Sequence, residues 1–158
     1  MAIELTILVG TMTGTADLVA EDISDVLEEA GHEITVEPMD QLDGSVFEDG
    51  RIYLICCATY GQGDVPDNAI KLYEDLQSSK PDLKGVRYGV FALGDRTYVD
   101  TFCQGGRRFD KILSELGAQR VGDLKEHDAS AGTMPEEVGA EWAREWIENF
   151  SQPRAVAA

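Results

Sequence analysis

One segment near the start of the chain, residues 5–20, joins an apolar run directly to a helical pattern through a loop rich in hydroxyl groups. The apolar run spans residues 3–9 and is interrupted by Glu4 and Thr6. Apolar residues then recur at spacings of three and four, which is typical of a helix with one buried face: Ala16, Val19, Ala20, Ile23, Val26, Leu27 and Ala30. The segment therefore predicts a buried strand that passes through a short loop into a helix.

The connecting loop reads Gly10-Thr11-Met12-Thr13-Gly14-Thr15 and places three threonines at the start of that helix. A helix begins with unpaired backbone N–H groups and the positive end of its dipole. Together with the hydroxyl groups, these donors indicate a phosphate site. A threonine-rich helix cap without a ligand is the alternative. The loop has neither the lysine of a GxxxxGK[ST] nucleotide loop nor the glycine pattern of a GxGxxG dinucleotide loop.

Charge and cysteine usage exclude several classes of partner. The 158 residues carry 30 acidic and 13 basic side chains, for a formal charge of −17, which argues against nucleic acid and against an anionic membrane surface. The same charge suits a basic protein partner. The three cysteines have the spacing of neither a disulfide framework nor a metal site. With no signal peptide and no long apolar span, we expect a cytoplasmic protein. We also expect a monomer.

Predicted strands alternate with predicted helices along the rest of the chain. The strands are expected at residues 4–9, 33–37, 51–58, 86–93 and 120–124, and the helices at 15–30, 67–77, around 109–116, and at 135–150. Ile70, Tyr73 and Leu76 are expected on the buried face of the second helix. The alternation predicts an α/β fold, a three-layer sandwich around a five-stranded parallel sheet of order 2-1-3-4-5. Residues 1–150 should form one domain and residues 151–158 a disordered tail.

In such a sheet a ligand binds outside the carboxyl ends of the strands, so the loops after the third and fourth strands should also carry binding residues. These loops span residues 58–68 and 93–103, and they present Tyr60 and Tyr98. Two aromatic rings beside a phosphate site fit a flat heteroaromatic phosphate. Local packing of each ring is the alternative.

Three stretches together, residues 11–16, 58–61 and 93–98, resemble the FMN-binding loops of the flavodoxin family. The resemblance is nearest to the MioC-type flavodoxins and to the FMN domains of diflavin reductases and sulfite reductase flavoproteins, because Tyr60 stands where many flavodoxins carry tryptophan. It implies a flavodoxin-like fold and non-covalently bound FMN. Residues 11–16 would hold the phosphate, while Tyr60 and Tyr98 would cover the two faces of the flavin ring.

The cofactor-binding residues implied by this resemblance are Thr11, Met12, Thr13, Gly14, Thr15, Ala16, Ala58, Thr59, Tyr60, Gly61, Gly63, Leu93, Gly94, Asp95, Tyr98, Phe102, Cys103 and Asp128. No catalytic residue and no metal ligand is expected. The short segment between Gly117 and Pro135 leaves no room for the insertion that splits the fifth strand in long-chain flavodoxins.

The resemblance implies a low-potential, one-electron carrier between a flavoprotein reductase and a redox enzyme, not an enzyme itself. An FMN-dependent NAD(P)H:quinone reductase is the alternative. A response-regulator receiver would need acidic residues where Gly10-Thr11 and Ala58-Thr59 stand, and no GxSxG or HExxH motif supports a hydrolase. His32 is expected to be solvated and His127 to be a polar loop residue near the flavin.

Five aspartates fall on or beside the predicted binding loops: Asp64, Asp67, Asp95, Asp100 and Asp128. Such a surface should disfavour an extra electron on the flavin and attract basic docking surfaces on both redox partners.

Overall fold

The computed structural model describes residues 3–11, 14–59, 65–95, 97 and 101–151. The strands are β1 (Glu4–Gly10), β2 (Glu33–Pro38), β3 (Ile52–Cys57), β4 (Arg87–Gly94), β5 (Gln119–Arg120) and β6 (Lys125–Asp128). The helices are α1 (Thr15–Glu29), α2 (Ile70–Ser79), α3 (Gln104–Glu115) and α4 (Pro135–Ser151). Short 3-10 turns lie at Met39–Gln41, Gly44–Val46, Asp67–Ala69 and Ala129–Ala131. Within these ranges no helix is both long and apolar enough to cross a membrane.

The strands form one parallel sheet of order β2-β1-β3-β4-β5, with β6 paired to β4. This confirms the strand order predicted from the sequence. The carboxyl ends of β1, β3 and β4 lie level, since Gly10 pairs with Cys57 and Cys57 pairs with Ala92. The loops that follow these three strands therefore leave the sheet at one edge.

Two hydrophobic cores cover the two faces of the sheet. Helices α1 and α4 pack on one face over alternate strand residues that include Leu5, Leu54 and Phe91. Helices α2 and α3 pack on the other face over residues of the opposite register, such as Ile55 and Val90. This arrangement is the predicted three-layer sandwich. It explains why the central strands are apolar at nearly every position.

The fifth strand is not continuous, and the prediction of one strand over residues 120–124 was wrong. Gln119 pairs with Arg87 whereas Lys125 pairs with Phe91, so two extra residues lie on the fifth-strand side. Gly122 has φ +73°, a left-handed conformation that breaks the ladder. The interruption turns the carbonyl of Val121 toward α4, where it accepts a hydrogen bond from Trp146 Nε1 at 2.9 Å. As a result β6 continues beside the end of β4.

The buried face of the second helix also differs from the prediction. Ile70 is 38% exposed, whereas Ala69, Leu72 and Leu76 are fully buried. The regular α-helix begins at Ile70, because residues 67–69 form a 3-10 turn with about three residues per turn. The change of period rotates Ile70 away from the sheet.

The junction between the first helix and the second strand contains a histidine with a backbone partner. Gly31 follows the end of α1 in a left-handed conformation, φ +97°. The next residue, His32, accepts a hydrogen bond at Nδ1 from the N–H of Ile3 at 3.0 Å. The expectation that His32 is simply solvated was therefore wrong. Partial burial lowers the pKa of His32, because it disfavours the charged imidazolium.

We expect this hydrogen bond to make the free energy of unfolding depend on pH. Only neutral His32 can accept it, so its contribution is present above the unfolded pKa of about 6.5 and is lost as the pH falls below that value. At pH 7.5, His32→Ala should be about 1 kcal/mol less stable than wild type. Urea denaturation at pH 7.5 and pH 5.5 would measure the difference. A difference that grows on acidification would contradict the assignment.

Candidate functional site

A cavity of about 440 Å³ lies at the carboxyl edge of the sheet. Its described lining residues are Thr15, Ala58, Thr59, Leu93, Gly94, Asp95, Thr101, His127, Ala129, Thr133 and Pro135. Six of these were predicted from the sequence: Thr15, Ala58, Thr59, Leu93, Gly94 and Asp95. The cavity is large enough for a cofactor or small ligand.

The first turn of α1 borders the cavity on one side. Gly14 precedes the helix with φ +94° and offers no side-chain cap, and an added Cβ there would meet nothing within 4 Å. Its N–H donates to Thr11 Oγ1 at 2.9 Å, so the threonine hydroxyl stabilises the loop. Because no side chain of the described residues caps this helix start, its donors are available to an anion.

A side chain from another loop holds the start of this segment. Asn68, in the turn before α2, accepts a hydrogen bond at Oδ1 from the N–H of Thr11 at 2.7 Å. Its Nδ2 donates to the carbonyl of Val9 at 3.2 Å. No sequence pattern indicated a role for Asn68 at the site. In the sequence, an asparagine after Pro66-Asp67 is typical of an ordinary helix start.

Thr59 joins the other two loops of the cavity. Its hydroxyl donates to the carbonyl of Leu93 at 3.0 Å and accepts from the N–H of Gly105 at 3.0 Å. The side chain therefore links the ends of β3 and β4 to the start of α3. Thr59 lines the cavity and also fixes the spacing of the surrounding backbone, and its contact with a cofactor stays a prediction.

His127 forms much of the remaining wall and lies in β6 rather than in a loop. It is 4% exposed, and its Nε2 lies 3.0 Å from Thr133 Oγ1. Its ring stacks on Phe91, with centroids 6.5 Å apart. The run Lys125–Asp128 has no apolar alternation, so the sequence pattern did not reveal a strand there. Consequently Ala129, Thr133 and Pro135 were missed. Thr101, in the loop after β4, was not among the predicted binding residues either.

Several predicted site residues have their side chains elsewhere. Ala16 is buried in α1, and Phe102 is 5% exposed within the core beneath α3. The buried sulfur of Cys103 lies 3.5 Å from the carbonyl of Ala92. Asp128 Oδ1 accepts from the N–H of Ser130 at 3.0 Å and so caps a 3-10 turn. Contact of these four residues with a cofactor stays a prediction.

Six predicted binding residues lie outside the described residues: Met12, Thr13, Tyr60, Gly61, Gly63 and Tyr98. The stacking of Tyr60 and Tyr98 on a flavin therefore stays a prediction. So do the positions of Asp64 and Asp100 at the edge of the site. The tail expected over residues 151–158 is described only at Ser151, which is the last residue of α4.

Uncharged groups dominate the cavity. The described lining residues include no lysine or arginine. Asp95 is the one acidic residue among them, and its Oδ1 accepts a hydrogen bond from the N–H of Thr97 at 2.9 Å. Burial raises the pKa of the neighbouring thiols of Cys56 and Cys57, so both stay protonated at neutral pH. The described parts of the chain contain no cluster of side chains able to hold a metal ion.

We expect Thr59→Val to weaken the site and the fold together. The substitution keeps the shape but removes both hydrogen bonds, at a cost of about 1 kcal/mol each in the free energy of unfolding. Urea denaturation would measure this loss. Thr35→Val, on the exposed side of β2, is the control and should change stability little. Equal stability of the two variants would contradict the role given to Thr59.

The chain is similar along most of its length to known flavodoxins. The family described as Flavodoxin matches residues 7–142. Flavodoxin YqcA of Escherichia coli (strain K12) is 40% identical over 143 residues, which are 90% of this chain and 95% of that protein. Protein MioC of the same strain is 37% identical over 147 residues, 91% of this chain and 96% of that protein.

A longer protein is similar to this chain over one part of its own length. The Sulfite reductase (NADPH) flavoprotein alpha-component of Bacillus subtilis (strain 168) is 36% identical over 140 residues, which are 88% of this chain and 22% of that protein. Among solved structures, a cysteine mutant of Flavodoxin from Pseudomonas aeruginosa superposes with a TM-score of 0.81 at 33% identity, over 92% of this chain and 97% of that one. The chain belongs to the flavodoxin family of electron-transfer flavoproteins, and its cofactor is FMN.

Proposed function

We propose that this protein is a low-potential, one-electron carrier that receives electrons from a flavoprotein reductase and passes them to a redox enzyme. FMN supplies the redox chemistry when bound, taking up and releasing electrons one at a time. The chain's own residues bind the cofactor, orient it and set the charge around it.

The described residues fit FMN, because they offer hydrogen-bond donors for its phosphate and a cavity with room for its ring. The uncapped first turn of α1, beside Thr11 and Gly14, offers backbone N–H groups to the phosphate. Thr59, Leu93 and the groups around them form a cavity into which a flat ring can extend. We assign the phosphate to the start of α1 and the ring to the cavity between the loops after β3 and β4.

The proposed low reduction potential rests on one observation, namely that the described residues lining the cavity include no basic side chain. Among the described lining residues, a negative charge gained on reduction would meet no cation, and Asp95 would repel it. These contacts favour the oxidised cofactor and so lower its reduction potential.

Purification of the protein and its visible spectrum would test the proposal first. Flavin absorption at about 450 nm is a property of the cofactor and would establish its presence. NADPH alone should reduce the bound cofactor slowly, whereas NADPH with a flavoprotein reductase should reduce it fast. Rapid reduction by NADPH alone, with turnover of a quinone, would replace the carrier by an NAD(P)H:quinone reductase.

Docking should depend on ionic strength, because the protein carries a net charge of −17 and its partners are proposed to present basic surfaces. Electron transfer from the reductase should slow by about tenfold between low and physiological salt. Replacing Asp64 and Asp100 by asparagine should reproduce this slowing without releasing FMN. Replacing Glu28 and Glu29, at the opposite end of α1 from the site, by glutamine is the matched control. Equal effects of the two pairs would contradict a docking surface at the flavin.

The three cysteines are buried and form no disulfide, which suits a reducing compartment, so we propose that the protein lies in the cytoplasm. We also propose that it acts as a monomer.

A further inference from the structure

The side-chain amide of Asn68 occupies the place of a missing strand beside β1. In a parallel sheet successive residues direct their N–H and C=O groups to opposite neighbours. The carbonyl of Gly10 accepts from Ala58 on the β3 side, at 2.9 Å, so the groups of Val9 and Thr11 face the β2 side. There β2 ends at Pro38, which pairs with Val9.

Beyond Pro38 the chain turns into a 3-10 turn, and the N–H of Thr11 has no strand to pair with. A carboxamide carries the same donor and acceptor as a peptide group. Asn68 presents both to β1, accepting from Thr11 at 2.7 Å and donating to Val9 at 3.2 Å. An N–H needs an acceptor, and the nitrogen of a carboxamide is a donor, so the bond from Thr11 fixes the orientation of this amide with Oδ1 toward Thr11.

The effect of this contact extends to the start of α1. Thr11 Oγ1 accepts from the N–H of Gly14, and the carbonyl of Gly14 accepts the helical N–H of Leu18 at 3.2 Å. The position of Thr11 therefore sets the left-handed turn at Gly14 and the direction of the first-turn donors. Asn68 lies 57 residues away in the chain, so it also ties this loop to the segment after β3.

We propose that Asn68 is a positioning residue for the FMN phosphate, acting through Thr11 and not by touching the phosphate itself. The inference rests on the proposed phosphate site at the start of α1. It makes Asn68 a determinant of selectivity for the phosphorylated flavin over riboflavin.

The test compares dissociation constants of FMN and riboflavin for apoprotein carrying Asn68→Leu, which keeps the volume and removes both hydrogen bonds. FMN affinity should fall by about tenfold or more, as expected when a charge-assisted contact is lost, and riboflavin affinity should stay within about twofold. Leu76→Ala, in the core of α2, is the control. It should lower stability and leave the ratio of the two affinities unchanged. Asn68→Ala serves if the leucine variant does not fold.

Amide hydrogen exchange of the ligand-free protein gives a second readout. The N–H of Thr11 should exchange faster in Asn68→Leu than in wild type, and an unchanged rate would overturn the proposal. A wild-type preference for FMN that survives in the variant overturns it as well, while leaving the phosphate site in place. Equal affinity of wild type for both flavins would remove the phosphate site, and this inference with it.

Discussion

Replacing Gly105 by alanine is expected to lower the free energy of unfolding by about 3 kcal/mol and to weaken FMN binding by about tenfold or more. The added Cβ would lie 2.1 Å from the carbonyl oxygen of Ala58 and 3.2 Å from the Cα of Thr59. Both contacts are backbone, so neither can be relieved by turning a side chain. Helix α3 must move away from the end of β3, which breaks the hydrogen bond from Gly105 to Thr59 and displaces two residues of the cavity wall.

Gly89→Ala is the matched control for this prediction. Its Cβ would lie 2.4 Å from the indole Nε1 of Trp146, so the fold should be destabilised at a position away from the cavity lining. Denaturation curves would give the two stabilities, and flavin titrations at low temperature would give affinities for the folded molecules. If Gly105→Ala retained wild-type affinity, the close packing of α3 on β3 would not shape the site.

FMN should bind to the wild-type protein about a hundredfold more tightly than riboflavin, and Gly14→Val should remove most of that preference. Two hydrogen bonds to a phosphate, each at the low end of the range of about 1.5–3 kcal/mol, account for such a ratio. At φ +94° a β-branched residue is strained by about 1–3 kcal/mol even though nothing lies within 4 Å of its Cβ. Relief of the strain would move the loop and misalign the donors at the start of α1.

Gly50→Val provides a control with the same kind of strain. Gly50 has φ +82° and equally open surroundings, but it precedes β3 at the opposite edge of the sheet. Both variants should lose similar stability, and Gly14→Val alone should lose FMN affinity. Isothermal titration with FMN and riboflavin would measure the ratios. A parallel loss for both flavins in Gly14→Val would contradict a phosphate at this turn.

The strand order could be predicted because its determinants are local and repeated. Continuous apolar runs such as Ile52–Cys57, alternating with helical spacings, leave few arrangements other than a covered parallel sheet. The break in the fifth strand could not be predicted, since Val121 and Leu124 read as one short strand around a glycine. The two-residue change of register becomes apparent only when both segments are paired with β4.

The location of the site at one edge of the sheet could be predicted from the strand order, but the hydrogen bonds that hold its loops together could not. The loops of Thr59 and Leu93 were expected at the site because they follow adjacent strands, and the two residues themselves were implied by the resemblance to flavodoxins. The contacts of Asn68 with Thr11 and of Thr59 with Gly105 join residues 57 and 46 positions apart, and neither pair has a sequence pattern that indicates the contact. His127 was expected near the flavin, but its place in a strand was missed for a different reason. Its strand has charged neighbours and resembles a loop.

The central place of β1 has a consequence for folding kinetics. This strand pairs with β2, about thirty residues later, and with β3, almost fifty residues later, so neither edge is covered by a local hairpin. Each pairing must close a long loop before its contacts are gained, which is slow in parallel sheets. On a ribosome, β1 would have to wait for Ile52–Cys57 to emerge before both of its edges could be paired. Until then its apolar surface is a natural target for a chaperone.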